Sequence, residues 1–260
     1  MNILFLLFFV ELLLLIVVLI NRFCRKADVN KTLGFITFLC ALQILASLPS
    51  YINMKDYAQD HILYKIAFNS FAVTCILNDF ILLLSAQYLL KIAKLRTKLS
   101  RYVFVFFWIF AAVDTVIFLT NGFTSLAYKG TLVNTGEALD SYVFFFHISE
   151  KWMICHQSFN VILVLMIFVS MVVKCFSMPL LYSGKYIVIG FYFLAVTGLS
   201  FAGELFPYFL VASILSSLLI GAIPFLLYYQ AYFYRPWFLL GFIRQMIFDR
   251  LGTPVILFDD

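Results

Sequence analysis

Residues 103–120 read VFVFFWIFAAVDTVIFLT, and the only charged side chain in this run belongs to Asp114. An α-helix rises about 1.5 Å per residue, so a run of roughly this length covers most of the ~30 Å hydrocarbon core of a bilayer. The run therefore predicts a transmembrane helix. It also places a carboxyl group inside the membrane.

The whole chain shares the apolar character of this run. Of its 260 residues, 64% are hydrophobic and only 12% are charged, whereas ordinary soluble domains carry about 25% charged residues. We therefore predict an all-α membrane protein, a seven-helix transmembrane bundle that ends near residue 230. The predicted spans lie near residues 3–20, 33–52, 66–90, 102–120, 148–173, 186–203 and 208–229.

The distribution of basic residues predicts the orientation of this bundle. The first span has no basic segment before it and is followed by Arg22 and Arg25, which favours an outside N-terminus and argues against a cleaved signal peptide. In that orientation 14 of the 18 Lys and Arg residues fall on the inner side. The net charge of +5 then lies in short loops beside the anionic inner leaflet, without the basic face that a nucleic acid would need.

Three carboxyl groups fall close to the middle of predicted spans: Glu11, Asp79 and Asp114. An acid facing lipid at the bilayer centre costs roughly 2.5–3.5 kcal/mol, so all three are expected to face the interior of the bundle. Because Lys and Arg are absent at that depth, the expected partners are the neutral amides of Gln43, Asn69, Asn78 and Gln87. The acids then act as hydrogen-bonding groups between helices, as a cation or proton site, or as the floor of a ligand pocket.

A second polar group recurs along the predicted fifth span. Trp152, His156 and Asn160 are four residues apart, so they share one helix face, and Gln157 lies beside them. A polar and aromatic face in the outer half of a bundle suits a pocket for a small extracellular or lipophilic ligand. The simpler alternative is a histidine that only packs between helices.

Signs of catalysis or of a metal site are missing from the sequence itself. The chain contains neither a nucleophile beside a base and an orienting group nor a glycine-rich phosphate loop, and the spacing of His147 and His156 does not suit a metal. We therefore expect no catalytic residues, no cofactor and no metal. The five cysteines form no C-x-x-C pair; Cys75 and Cys155 either pair in the outer halves of their spans or, more simply, fill apolar space.

The outer segment between the fourth and fifth spans has the pattern of a hairpin. Residues 131–133 (TLV) and 142–146 (YVFFF) suit strands, and residues 134–137 (NTGE) suit a turn. This pattern predicts a β-hairpin lid over the helix bundle. The alternative is a loosely ordered loop with an interfacial belt of aromatic residues.

The chain leaves the membrane through an aromatic and basic segment, residues 228–237 (YYQAYFYRPW), which suits the inner membrane surface. Residues 231–252 predict a cytoplasmic linker helix whose apolar stripe includes Phe242, Met246 and Leu251. Such a stripe favours pairing with a second copy, hence a homodimer through this exit helix. Gly252, Thr253 and Pro254 end the helix, and VILFDD then suits a β-strand.

The topology of the whole chain, and above all residues 243–260 (IRQMIFDRLGTPVILFDD), resembles a known family. This is the bacterial seven-transmembrane sensor region found at the N-terminus of histidine kinases and GGDEF diguanylate cyclases. The resemblance implies a sensory region over residues 1–230 in the bacterial cytoplasmic membrane and a linker helix over residues 231–252. It also implies that residues 253–260 are the first strand of a PAS-like domain, ahead of a cytoplasmic kinase or cyclase module that these 260 residues lack.

Two other classes of membrane protein compete with this reading. A small ion-coupled transporter would use Glu11, Asp79 and Asp114 as coupling acids, although the second half of the chain is not an obvious copy of the first. A G-protein-coupled receptor is less favoured, because residues 87–94 (QYLLKIAK) and 223–228 (IPFLLY) do not reproduce the usual signatures of that class.

Overall fold

The computed structural model of the chain describes residues 2–24, 31–51, 62–93, 95, 97–134, 142–147, 151–177, 180–205 and 210–233. The chain divides into two compact units, Met1–Pro224 and Phe225–Asp260. The predicted linker residues Phe242, Met246 and Leu251, and the predicted strand at residues 253–260, lie outside the described residues.

Each predicted span coincides with an α-helix in the described part of the chain. The helices are α1 (Asn2–Cys24), α2 (Lys31–Ser47), α3 (Ile62–Ile92), α4 (Lys98–Thr124), α5 (Lys151–Phe176), α6 (Leu180–Leu205) and α7 (Leu210–Phe233). A short 3₁₀ helix, Leu48–Tyr51, follows α2. Five helical segments, within α2 to α6, are long and apolar enough to cross a membrane, and two shorter apolar stretches, Leu6–Ile20 and Ala212–Tyr228, lie in α1 and α7. The chain is thus a helical, multi-pass membrane protein.

The segment between α4 and α5 forms the β-hairpin that the sequence predicts. Strand β1 (Lys129–Asn134) pairs antiparallel with β2 (Tyr142–His147), and the register sets Lys129 opposite His147 and Asn134 opposite Tyr142. Strand β2 contacts α6 and the 3₁₀ helix at Leu48–Tyr51. The hairpin therefore packs against α6 and the 3₁₀ helix, and its role as a lid stays a prediction.

Helix α4 shows how the sequence pattern sorts residues between lipid and bundle. Its large exposed side chains are apolar and include Val105, Ile109, Val116 and Leu119. Its buried positions recur every three or four residues, at 104, 107, 111, 114, 118 and 121. Because a membrane helix can expose an apolar face to lipid, only the buried face needs to match its neighbours. Asp114 lies on that buried face, as predicted.

The segment that leaves α4 is fixed by one side chain, Asn121. Its Oδ1 accepts a hydrogen bond from the backbone N–H of Ala127 at 2.8 Å, and its Nδ2 donates to the Tyr128 carbonyl at 3.0 Å. Ser125 takes up the left-handed conformation (φ 50°) that reverses the chain here. Tyr128 is then buried and donates from its hydroxyl to the Phe68 carbonyl of α3 at 2.7 Å. Burial raises the pKa of the Tyr128 hydroxyl, so it stays protonated as a donor.

The cysteines do not pair as one sequence hypothesis allowed. Cys75 is buried on α3 and Cys155 is exposed on α5. Neither forms a disulfide bond, and Cys40 and Cys175 form none either. The proposed pairing of Cys75 with Cys155 is therefore wrong, because Cys155 lies on the outward side of its helix.

Two glycines of α6 offer a matched test of helix packing. A Cβ at Gly203 would lie 2.7 Å from the backbone nitrogen of Ser213 in α7, whereas a Cβ at Gly198 meets nothing within 4 Å. Backbone cannot move aside cheaply, so we expect Gly203→Ala to destabilise the protein by about 1–3 kcal/mol. Gly198→Ala should be neutral or stabilise it by up to ~1 kcal/mol through helix propensity. Unfolding of both variants in detergent measures the difference, and equal stabilities would contradict this packing.

Candidate functional site

Three buried ionisable side chains from three helices meet inside the bundle. Asp79 lies on α3, Asp114 on α4 and His156 on α5, and each is at most 1% exposed. One ligand atom from each of the three lies within 4.8 Å of the other two. We refer to these residues as the Asp79–Asp114–His156 cluster.

The Asp114 carboxylate is the best-bonded member of the cluster. Its Oδ2 lies 2.9 Å from His156 Nδ1, and its Oδ1 accepts a hydrogen bond from the Trp152 indole Nε1 at 2.7 Å. A carboxylate only accepts, so His156 Nδ1 donates the hydrogen bond to Asp114 Oδ2. Asp114 therefore ties α4 to two successive turns of α5.

The other ring nitrogen of His156 is also occupied. Asn160 lies one turn further along α5, and its amide nitrogen Nδ2 is 3.1 Å from His156 Nε2. The Asn160 amide group therefore contacts His156, and Asn160 Oδ1 is left without a hydrogen-bond partner among the described residues.

Asp79 is the least satisfied member of the cluster. Its Oδ1 lies 3.5 Å from His156 Nδ1, close enough for electrostatic attraction, but that nitrogen already donates its proton to Asp114. Within the described residues neither oxygen of Asp79 has a hydrogen-bond partner. A buried polar group without a partner costs about 1–3 kcal/mol, and more when it is charged. Such an exception in a buried position points to a functional role.

Aromatic rings enclose the cluster and keep its surroundings apolar. The Phe118 ring meets the His156 ring edge-on, with centroids 4.9 Å apart. The Phe110 ring stacks on Trp152 at 6.0 Å and on Phe159 at 4.5 Å. In an environment of low dielectric constant, charges interact more strongly with one another, and uncompensated charge is more costly.

The structure places the predicted ligand-binding residues in two different environments. Trp152, His156 and Asn160 do share one face of α5. On that face Trp152 and His156 contact Asp114, and Asn160 contacts His156. Gln157 instead lines an apolar groove of about 370 Å³. The other residues of this groove are Ile154, Ser158, Val161, Ile162 and Phe201. The ligand-binding role of these four predicted residues stays a prediction.

One expectation about the intramembrane acids was wrong, because Asp114 does have a basic partner, His156, which the search for Lys and Arg overlooked. The expected amide partners are contradicted for Gln43, since neither of its side-chain polar atoms has a hydrogen-bond partner in the described part of the chain. The oxygen of Asn78 also has no partner there, and the role of Gln87 stays a prediction. Asn69 is exposed.

The third acid, Glu11 of α1, lies in a separate place against α7. A Cβ at Gly221 would lie 2.6 Å from Glu11 Oε1, so a larger residue there would displace this carboxyl group. Pro224, inside α7, has no N–H and frees the Ile220 carbonyl one turn earlier. Cys40 of α2 donates from Sγ to that carbonyl at 3.5 Å. Glu11 Oε2 has no hydrogen-bond partner among the described residues.

The spacing of His147 and His156 along the sequence does not decide whether this protein can bind a metal. The donors that meet here come from three helices, and the sequence argument considered histidines alone. Two carboxylates and an imidazole can hold a proton, a metal ion or a cationic group of a ligand.

No protein-family model matches the chain, and no curated protein matches it either.

Proposed function

We propose that this chain is the membrane-embedded sensory region of a bacterial signal-transduction protein. Ligand binding at the Asp79–Asp114–His156 cluster changes the packing of α3, α4 and α5, and the exit helix passes this change to a cytoplasmic kinase or diguanylate cyclase module. The observation that carries this proposal is the unpartnered carboxylate of Asp79, which is buried where three helices meet. A buried carboxyl group without a hydrogen-bond partner favours a different helix arrangement when a ligand supplies the missing partner.

We also propose that this chain has the membrane topology of the bacterial seven-transmembrane sensor regions that it resembles. The bundle has seven spans over residues 1–230, with an outside N-terminus and a cytoplasmic linker helix over residues 231–252. A PAS-like domain starts at residue 253, and two chains pair through the exit helix. The distribution of basic residues and the seven described helices support this arrangement.

Reporter fusions test the topology. A fusion after Lys94 should report the cytoplasm, and a fusion after Lys129 should report the outside, because α4 crosses the membrane between them. Alkaline phosphatase and green fluorescent protein activities measure the two sides. Both positions reporting the same side would rule out the seven-span arrangement.

Output from a chimera tests the function. Residues 1–260 are joined in frame to a diguanylate cyclase module, and cyclic di-GMP is measured in cells. Asp79→Asn removes the ionisable carboxyl group without changing the shape of the side chain, so basal output should shift by roughly 5- to 150-fold, the usual range of coupling between sites. Glu11→Gln is the matched control, since it neutralises an intramembrane acid outside the cluster. Equal output from all three proteins, inserted at equal levels, would sink the sensory role of the cluster.

An ion-coupled carrier is the second candidate function. It is favoured by Glu11, whose free oxygen lies beside a helix interrupted by Pro224, because carriers often bind ions at interrupted helices. In proteoliposomes a carrier would show ion flux that disappears with Glu11→Gln. The sensory proposal expects flux no greater than in vesicles without protein.

A further inference from the structure

The donor atoms of the Asp79–Asp114–His156 cluster lie at separations that suit a metal ion. His156 Nδ1 is 2.9 Å from Asp114 Oδ2 and 3.5 Å from Asp79 Oδ1. Around a tetrahedral ion with bonds of about 2.0–2.2 Å, neighbouring ligand atoms lie roughly 3.3–3.6 Å apart. Small rotations of the side chains would therefore bring three ligands to one ion. A fourth position would remain for water or another ligand.

Charge balance favours a divalent ion over other occupants. The cluster holds two carboxyl groups, and a histidine that binds a metal does so as the neutral imidazole. One divalent cation neutralises two carboxylates in this apolar interior, and it also supplies the partner that Asp79 lacks. Na⁺ would leave one charge unbalanced. Ca²⁺ and Mg²⁺ prefer six or more oxygen ligands, whereas imidazole together with carboxylates suits first-row transition ions.

Asn160 is placed to support such an ion through His156. When a metal binds at Nδ1, the neutral imidazole carries its proton at Nε2. Nε2 must then donate, and a rotation of the Asn160 amide presents Oδ1, the atom that now has no partner in the described residues. Metal-bound histidines nearly always donate their other N–H to an oxygen in this way.

We propose that the Asp79–Asp114–His156 cluster is a binding site for a divalent first-row transition-metal ion such as Zn²⁺. The ligands are one carboxylate oxygen each from Asp79 and Asp114, together with His156 Nδ1. Trp152 orients Asp114 by donating a hydrogen bond to Oδ1, the carboxylate oxygen that does not bind the ion. Asn160 orients the ring of His156 through Nε2. This inference deepens the proposed function, because it names the ion as the ligand that the sensory region detects.

Metal titration of the whole purified chain in lipid nanodiscs tests the site. Co²⁺ reports tetrahedral binding through its visible absorption, and Zn²⁺ competing with a fluorescent chelator gives the affinity. Wild type should bind one equivalent that Asp79→Asn and Asp114→Asn both lose. Asn160→Leu should weaken binding about 10- to 100-fold, as expected for a residue that orients a ligand. Val116→Leu, on the lipid-facing side of α4, should bind like wild type.

The metal site would be refuted if wild type did not bind the metal. It would also be refuted if the Asp79→Asn and Asp114→Asn variants bound the metal as tightly as wild type. If those variants lose their helical circular dichroism, X-ray absorption of the wild-type Zn²⁺ complex decides instead. Oxygen and imidazole ligands support the site, and a sulfur-dominated shell refutes it. The two proposals fail separately. Output that responds to Asp79→Asn without metal binding refutes only the metal, whereas metal binding with unchanged output refutes only the sensory role.

Discussion

Replacing Asp114 by Leu is expected to lower the free energy of unfolding by about 2–6 kcal/mol. Asp114 accepts hydrogen bonds from two buried donors, Trp152 Nε1 and His156 Nδ1, and each donor left without a partner costs about 1–3 kcal/mol. Asp114→Asn keeps one acceptor oxygen, so its expected loss is about 1–3 kcal/mol. Unfolding by a denaturing detergent, followed by circular dichroism, measures both variants.

A double-mutant cycle provides the control. Trp152→Phe removes only the indole donor, so in the Asp114→Leu background it should be less destabilising than in wild type. Val116→Leu replaces a side chain on the lipid-facing side of the same helix and should change little. A stability of Asp114→Leu close to that of wild type would show that these hydrogen bonds do not hold α4 to α5.

Inserting residues into the predicted exit helix is expected to have the second large effect, on output rather than on stability. The apolar stripe through Phe242, Met246 and Leu251 favours pairing with a second copy. Two residues inserted before Gly252 rotate everything that follows by about 200°, whereas seven nearly restore the phase. Output should therefore be lost or locked with two added residues and recover with seven.

The assay for this series is output from a full-length protein carrying one to seven added residues. Linkers of the same lengths placed after Asp260 serve as controls for simple lengthening. An output that stays flat across the series within the helix would refute coupling through helix rotation. The membrane topology would be unaffected by that result.

The sequence predicts the helices and the hairpin well because both depend on local patterns. The apolar run at residues 103–120 lies entirely inside α4, and the hairpin follows from two β-prone stretches around a turn. The number of membrane crossings is harder to predict. Only five described helical segments are long enough to span by themselves, since those of α1 and α7 are shorter.

The candidate site could be predicted only in part. Spacing along one helix places Trp152, His156 and Asn160 on one face, but the contact of His156 with Asp114 joins residues 42 positions apart. That contact depends on how α4 and α5 rotate against each other, which no local pattern specifies. A usable signal was depth, because Asp114 and His156 lie at similar distances from the outer ends of their predicted spans. A buried histidine at the depth of an acid is its natural partner.

The central claim is that the Asp79–Asp114–His156 cluster controls how α4 and α5 are arranged across the membrane. Spin labels are attached at Tyr102→Cys, near the N-terminus of α4, and at Val173→Cys, near the C-terminus of α5. Both positions are exposed, and pulsed electron paramagnetic resonance measures the distance between the two labels. The five native cysteines are first replaced by Ala. We predict that Asp79→Asn shifts the label distance by about 1–2 Å, as in other helix rearrangements, while Glu11→Gln leaves it unchanged. Identical distance distributions in all three proteins would contradict the claim.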